Sequence, residues 1–369
     1  MDLFFVTTFM KLRILIVCLI IFLNTSLFGQ FRKYSNEFLN IGVGSKALAM
    51  GNAVVANSYD ATAVFWNPAG ISHLTGDMQI GLMHNQYFAG IASFNYGGIV
   101  KPLNDNGQYI GISMVRLDVD MIPNTLRLIN PDGSINYDNI EDFSISDNAV
   151  FFTYAQKSGI EGLSFGGNFK VIRRMVSTFA NSWGFGFDLA AYYERDHLKI
   201  GATLRDATST VNVWSFGFTQ EEREILESTG NIVPTGSSKE LTAPSGVGGV
   251  RYEFVIKEHF TISPEVDLKI GMDGKRNVWK NLGPFSADPM FGLQLGYRDI
   301  VHVWGGLNNY QDYTDENNEK VSRVQPNLGV GLKIKSIKLQ YAMTNMGDPD
   351  QALYSNVFSL VIDINKQSL

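Results

Sequence analysis

The residues able to cut a bond, move a proton or hold a metal are few and scattered. Five histidines, His73, His84, His197, His259 and His302, are spread along the chain. None stands in the His-x-x-His or His-Glu spacing that sets two ligands on one metal. The Gly-x-Ser-x-Gly run from Gly162 to Gly166 opens an expected strand over 162–175 and so does not raise Ser164 on an elbow between strand and helix. Asp312, Asp315, Glu316 and Glu319 crowd one stretch. They could share a calcium ion, but their spacing departs from the Asp-x-Asn-x-Asn-Gly loop, and a solvated acidic loop also accounts for them. Gly42 and Gly44 form a Gly-x-Gly. Without a strand–turn–helix unit around it, that pair serves a turn and close packing rather than a phosphate. The expectation is a protein that is not an enzyme, with no cofactor and no metal.

The scaffold carrying these residues is distinctive. Of 369 residues only 18% are charged, below the ~25% usual in soluble domains. Glycine (36), Phe (25) and Tyr (15) are abundant. A net charge of −6 with no clustered Lys and Arg argues against nucleic acid as a partner. Lys11 and Arg13 precede an apolar run that ends at Leu23, and residues 24–30 turn polar. That order predicts a cleaved signal peptide over 1–30, with Met10 as a second candidate start. The single cysteine, Cys18, lies inside the run after Val17, which gives no lipoprotein site. No other stretch reaches the ~18 apolar residues of a membrane helix. Membrane strands need only about 9 to 11 residues each.

Period-two alternation dominates the remainder. Trp183, Phe185, Phe187, Leu189, Ala191 and Tyr193 share one face, with Gly184, Gly186 and Asp188 on the other. Phe260, Ile262, Val266, Leu268 and Ile270 oppose Thr261, Ser263, Glu265, Asp267 and Lys269. The same reading marks about fourteen strands, near 77–88, 90–101, 108–118, 147–157, 162–175, 182–194, 197–205, 244–256, 259–270, 288–298, 300–309, 325–334, 336–345 and 354–364. Short connections, such as 157–162, 194–196 and 335–337, alternate with long ones at 119–146, 206–243, 271–287, 310–324 and 346–353. The brief turn near 88–90 is the exception.

Alternation of faces and of loop lengths together predict an all-β fold: a transmembrane antiparallel barrel of about fourteen strands with its short turns in the periplasm. In hydrocarbon each unpaired backbone group costs several kcal/mol, so a sheet there must close on itself. Trp183, Tyr193, Tyr297, Trp304 and Tyr341 fit aromatic girdles at the two interfaces. A soluble propeller would need a shared repeat of about 40 to 50 residues, and none is present.

Residues 31–76 precede the barrel, which is expected over 77–369. Gly44, Ala47 and Gly51 fall on one side of a helix over 44–56, and Ala49, Ala53 and Ala56 on the other. Small residues on two sides admit other backbone closely. Gly51 costs about 1 kcal/mol in a helix interior and is a point of breakage. Asn67, before Pro68, marks a stop and turn. A segment this short, ahead of a barrel, is expected to fold into the lumen as a plug. In the 206–243 stretch, Val213, Trp214, Phe216 and Phe218 put apolar surface into an expected external loop. They serve either as a docking surface for a partner or as packing over the mouth and the lipid interface.

The run Gly42-Val43-Gly44, Ala47-Leu48-Ala49-Met50-Gly51, Asp60-Ala61 and Trp66-Asn67-Pro68-Ala69-Gly70 resembles the amino-terminal region of the PorV/PorQ family. A further likeness lies at Arg205-Asp206, Trp214-Ser215-Phe216, Thr229-Gly230-Asn231 and Pro234. These are outer-membrane barrels of the type IX secretion and gliding machinery, similar in architecture to the FadL fatty-acid channel with its amino-terminal hatch. The resemblance implies a location in outer-membrane lipid. It also implies protein partners in the type IX translocon or attachment complex, with secreted cargo among them. The alternative is a FadL-like channel for uptake of a hydrophobic small molecule, which would need an apolar pocket and a gap or kink in the wall or hatch.

Overall fold

The computed structural model describes residues 34–87, 90–130, 132–314, 318–344 and 355–365. The expected signal peptide, Asp315 and Glu316, and the loop at 346–353 lie outside the described residues.

One antiparallel sheet of fourteen staves closes on itself. The first six are β1 (Met78–Tyr87), β2 (Ala92–Pro102), β3 (Gln108–Asn124), β4 (Glu141–Lys157), β5 (Leu163–Val176) and β6 (Ala180–Arg195). Stave β7 has two segments, Leu198–Arg205 and Thr210–Phe216. Stave β8 has three, Ser237–Thr242, Ser245–Tyr252 and Phe254–Ile256. The last six are β9 (Phe260–Gly271), β10 (Phe285–Tyr297), β11 (Val301–Thr314), β12 (Lys320–Ile334), β13 (Ile337–Thr344) and β14 (Ser355–Ile364). A short flap, Lys280–Leu282, pairs with the start of β10. Closure comes from β1 against β14, from Met78 opposite Ile364 to Gln86 opposite Asn356. Every stave thus has two partners, which removes the sheet edge.

The alternation sorts side chains as period two requires. Along β6, Trp183, Phe185, Phe187 and Leu189 are about half exposed, while Ser182 and Asp188 are buried. Val266 and Leu268 of β9 face out while Glu265 and Asp267 face in. An outward surface this apolar calls for hydrocarbon around it rather than water. No helix among the described residues is long and apolar enough to cross a membrane.

Two expectations are corrected. Strand pairing continues well beyond the expected outer ends: β3 and β4 run to Asn124 and from Glu141, and β11 and β12 run to Thr314 and from Lys320. Past the apolar belt the outward face turns polar, as at Asp118, Asp120, Asp142 and Ser144, while Leu117, Val119, Phe143 and Ile145 continue inward, so the ladder persists after the apolar outward face has ended. The 206–243 stretch is likewise not one loop, because Thr210–Phe216 and Ser237–Thr242 pair within the wall. The second correction is Trp304. It is only 2% exposed and faces inward, donating from Nε1 to Gln294 Oε1 at 3.1 Å. Its ring occupies the space that Gly331 leaves bare.

Candidate functional site

The segment from Tyr34 to Asp77 runs inside the ring of staves. It starts beside the long-loop ends, where Ser35 and Asn36 meet Thr242. It finishes at the opposite end, where β1 begins. Helix α1 (Ser45–Ala49) is a single turn. Gly51 and Asn52 then take φ of 63° and 64°, which ends it. A second turn, α2 (Ala63–Trp66), stops at Asn67. The Asn67 side chain accepts from the Ala69 amide at 3.2 Å and so caps the 3₁₀ turn Pro68–His73.

Small wall residues receive this segment backbone to backbone. A Cβ on Gly306 of β11 would lie 2.0 Å from the Met50 carbonyl carbon, and one on Gly201 of β7 would lie 2.0 Å from the Val55 oxygen. Gly166 of β5 faces Ala69 in the same way, and Gly292 of β10 faces Met50. Of the residues singled out in the sequence, Trp66 donates to the Val43 carbonyl at 2.8 Å and packs over Gly42. Gly44 donates to the Met83 sulfur, and Ala47 and Met50 are buried. Asp60 caps its own turn through Thr62, and Gly70 abuts the Ser58 carbonyl.

Polar inward groups complete the join. Asp267 and Glu265 accept from the Val55 and Ala56 amides at 2.9 and 2.8 Å. Ser359 accepts from the Ser45 amide at 2.8 Å. Asn168 donates to Val64 O at 2.8 Å, and Thr203 donates to Trp66 O at 3.0 Å. Inward charges were visible in the sequence as the polar face of each strand, but nothing there told which of them would meet the segment.

Beside the segment, near the long-loop end, the lumen keeps a pocket of about 100 Å³. Leu39, Phe65 and Phe151 form its apolar side. Lys170 crosses it, bonded to Asp188 at 2.8 Å and Asp206 at 2.6 Å. The Arg205 guanidinium lies 4.9 Å from the Phe65 ring and 5.2 Å from the Trp66 ring. Arg205 Nε and Asp288 Oδ1 are buried without a hydrogen-bond partner. Above the pocket, Arg276 clasps Asp273 at 2.6 Å and Glu37 at 2.8 Å, tying an outer loop to the segment. Burial alone would raise the Asp273 carboxyl, but the Arg276 hydrogen bonds outweigh it and hold the carboxyl below its ordinary range.

The wall beside this pocket is interrupted. Arg205 pairs with Ser245 and Thr210 with Thr242, so on the β8 side Asp206–Ser209 oppose only Ala243 and Pro244, while the Ala207 amide still donates to the Phe187 carbonyl of β6 at 2.8 Å. Asp206 and Ser209 have φ of 53° and 59°, and Pro244 has no N–H to give. Ala243, Pro244 and Asp206 line the inner pocket. On the outer face, Ala202, Leu204, Gly246, Gly248 and Ile270 border a groove of about 510 Å³ that ends at Leu204 and Gly246, two residues short of Asp206 and Pro244 in the chain.

The other candidates disperse. Val213 points outward, while Trp214 turns inward to donate to Glu240 Oε2 at 2.8 Å. Phe218 stacks on Phe179 with ring centroids 5.7 Å apart. His73 meets Glu194 at 3.2 Å, and His302 stacks on Trp304. Among the described residues no group of three or more His, Cys, Asp or Glu side chains is placed to hold a metal ion. Asp312 accepts from Ser322 and its amide takes Asn277 Oδ1.

No protein-family model matches the chain, and no curated protein matches it. Solved structures do. The toluene transporter TodX of P. putida is 10% identical, covering 88% of this chain and 99% of its own, with a TM-score of 0.54. The CymD monoaromatic hydrocarbon channel is 12% identical, covering 88% and 98%, also with a TM-score of 0.54. These likenesses show the fold. The resemblance to the PorV/PorQ family gains no support from them.

Proposed function

We propose that the protein is a non-enzymatic outer-membrane channel for a small molecule with a hydrophobic body. The observation that carries this reading is the wall interruption at Asp206–Ser209, flanked by the lumen pocket within and the apolar groove without. A molecule held against Phe65 and Phe151 lies beside the stretch where the ladder between β7 and β8 is missing, whereas the β4, β5 and β6 walls around it are continuously paired. The pocket is of the order of the ~150 Å³ cavity that takes one benzene, so the cargo is small. The segment 34–77 fills the rest of the lumen and acts as the plug. TodX and CymD, which share the fold, are named for toluene and monoaromatic hydrocarbons. Extracting the purified protein and identifying the small molecules released tests the reading. A bound compound with an aromatic or short aliphatic body supports it, and a barrel recovered only in large protein assemblies opposes it.

A second reading, a subunit of the type IX secretion or gliding machinery, rests on the outer loops. Met121, Ile129, Tyr137 and Ile232 are exposed there, Ile232 at 97%. Such side chains suit a protein partner. Copurification of translocon or attachment-complex proteins would favour it.

A further inference from the structure

Lys269 of β9 stands directly opposite Asp288 of β10. Directly opposed residues share a face, with Cβ atoms roughly 5 Å apart, and both of these line the lumen pocket. Yet the two charges form no ion pair. The Lys269 ammonium donates instead to Asn40 Oδ1 of the inner segment at 2.7 Å, which leaves two of its three N–H groups for another acceptor. Asp288 makes no hydrogen bond and no ion pair among the described residues, and its Oδ1 is buried. A buried acceptor is costly unless some donor reaches it.

The other charges of the pocket are engaged. Lys170 holds Asp188 and Asp206, and Arg276 holds Asp273. Arg205 lies over the Phe65 and Trp66 rings. Among the described residues the cations on the lining, Lys170, Arg205, Lys269 and Arg276, are matched by four carboxylates. A ligand with a net charge would break that balance in a buried site. A bare hydrocarbon would leave Asp288 without a donor. One neutral hydroxyl meets both conditions, because it donates once and also accepts. The body of the ligand meets Leu39, Phe65 and Phe151. The two phenylalanine rings stand edge to face, with centroids 5.9 Å apart at 72°, and such a pair favours a third ring.

From this we infer that the pocket selects phenols, with the hydroxyl donating to Asp288 and accepting from Lys269, and the ring against Phe65 and Phe151. The inference deepens the channel reading and rests on it. A phenol has a pKa of about 10, so it enters neutral at pH 7. Toluene carries a methyl in place of the hydroxyl, and benzoate a negative charge. The three ligands therefore separate hydrogen bonding from shape and from charge. A site that bonds a buried hydroxyl rejects the analogue lacking it far more strongly than an apolar site separates two isosteres.

The test is equilibrium dialysis of labelled phenol, toluene and benzoate against the folded protein in detergent at pH 7, with uptake by protein-free detergent subtracted. The wild-type protein is expected to bind phenol about tenfold or more tightly than either of the others. Asp288→Leu should remove the preference for phenol over toluene, and Lys269→Met should reduce it. The unheated gel mobility of each variant reports folding, and Lys269→Met carries the test if Asp288→Leu fails to fold. Toluene or benzoate bound as tightly as phenol overturns the phenol assignment and leaves the channel reading standing. So does an undiminished preference in either folded variant. No saturable binding of any of the three ligands overturns both.

Discussion

The side-chain amide of Asn67 donates to the Val55 carbonyl at 2.8 Å and to the Ala191 carbonyl of β6 at 3.2 Å, while its oxygen caps the turn that follows. One fully buried side chain thus joins two loops of the inner segment to each other and to the wall. Each such bond is worth about 1 kcal/mol net, and a buried carbonyl left without its donor costs more. Asn67→Ala should lower the unfolding free energy in urea by about 1 to 3 kcal/mol. Asn67→Asp should be at least as damaging, because it removes both donors and buries a charge. An unchanged denaturation midpoint for either variant contradicts this role.

Gly306 and Gly246 make a matched pair. Both are wall glycines, but a Cβ on Gly306 would strike Met50 whereas one on Gly246 meets nothing within 4 Å. Gly306→Ala should displace the inner segment and expose it to protease, with the barrel's unheated gel shift retained. Gly246→Ala should match the wild type. Equal protease patterns for the two variants would show that the segment does not rest on this contact.

The clasp of Arg276 on Asp273 and Glu37 has a pH sign. The folded Asp273 carboxyl is held below its ordinary value, so its stabilising effect is complete above the unfolded carboxylate pKa, about 4. That contribution disappears as the pH falls through the lower, folded value. Cleavage of the 272–279 loop by an acid-tolerant protease should be flat from pH 7 to 5 and rise below about pH 4. Asp273→Asn should show the acid-state rate already at pH 7.

The fold was legible where one physical demand repeats. Hydrocarbon outside and packed protein inside force alternation, and that alternation located all fourteen staves by their lipid-facing halves. Legibility stopped where the demand stops. Above the belt water meets the outward face, so the outer halves of β3 and β4 put Asp118, Asp120, Asp142 and Ser144 outward and lose the apolar outward face that marks a membrane strand. Trp304 misled because an aromatic at a strand end satisfies a girdle or a lumen equally, and only its partners, Gln294 and bare Gly331, decide between them. The interruption of β7 was hidden for another reason. Pro244 and the pair Asp206 and Ser209 are ordinary loop residues in sequence, and the strands that resume beyond them are visible only once Thr210 is seen opposite Thr242.

Ala243 is buried between the lumen pocket and the break in the wall and is the place to block passage. The decisive measurement is entry of a labelled monoaromatic compound into liposomes bearing the purified protein, compared with Ala243→Trp at equal insertion. Flux well above that of protein-free liposomes, falling about tenfold or more in Ala243→Trp, is what the account predicts. Flux equal to that of protein-free liposomes, or equal in the two proteins, would contradict it.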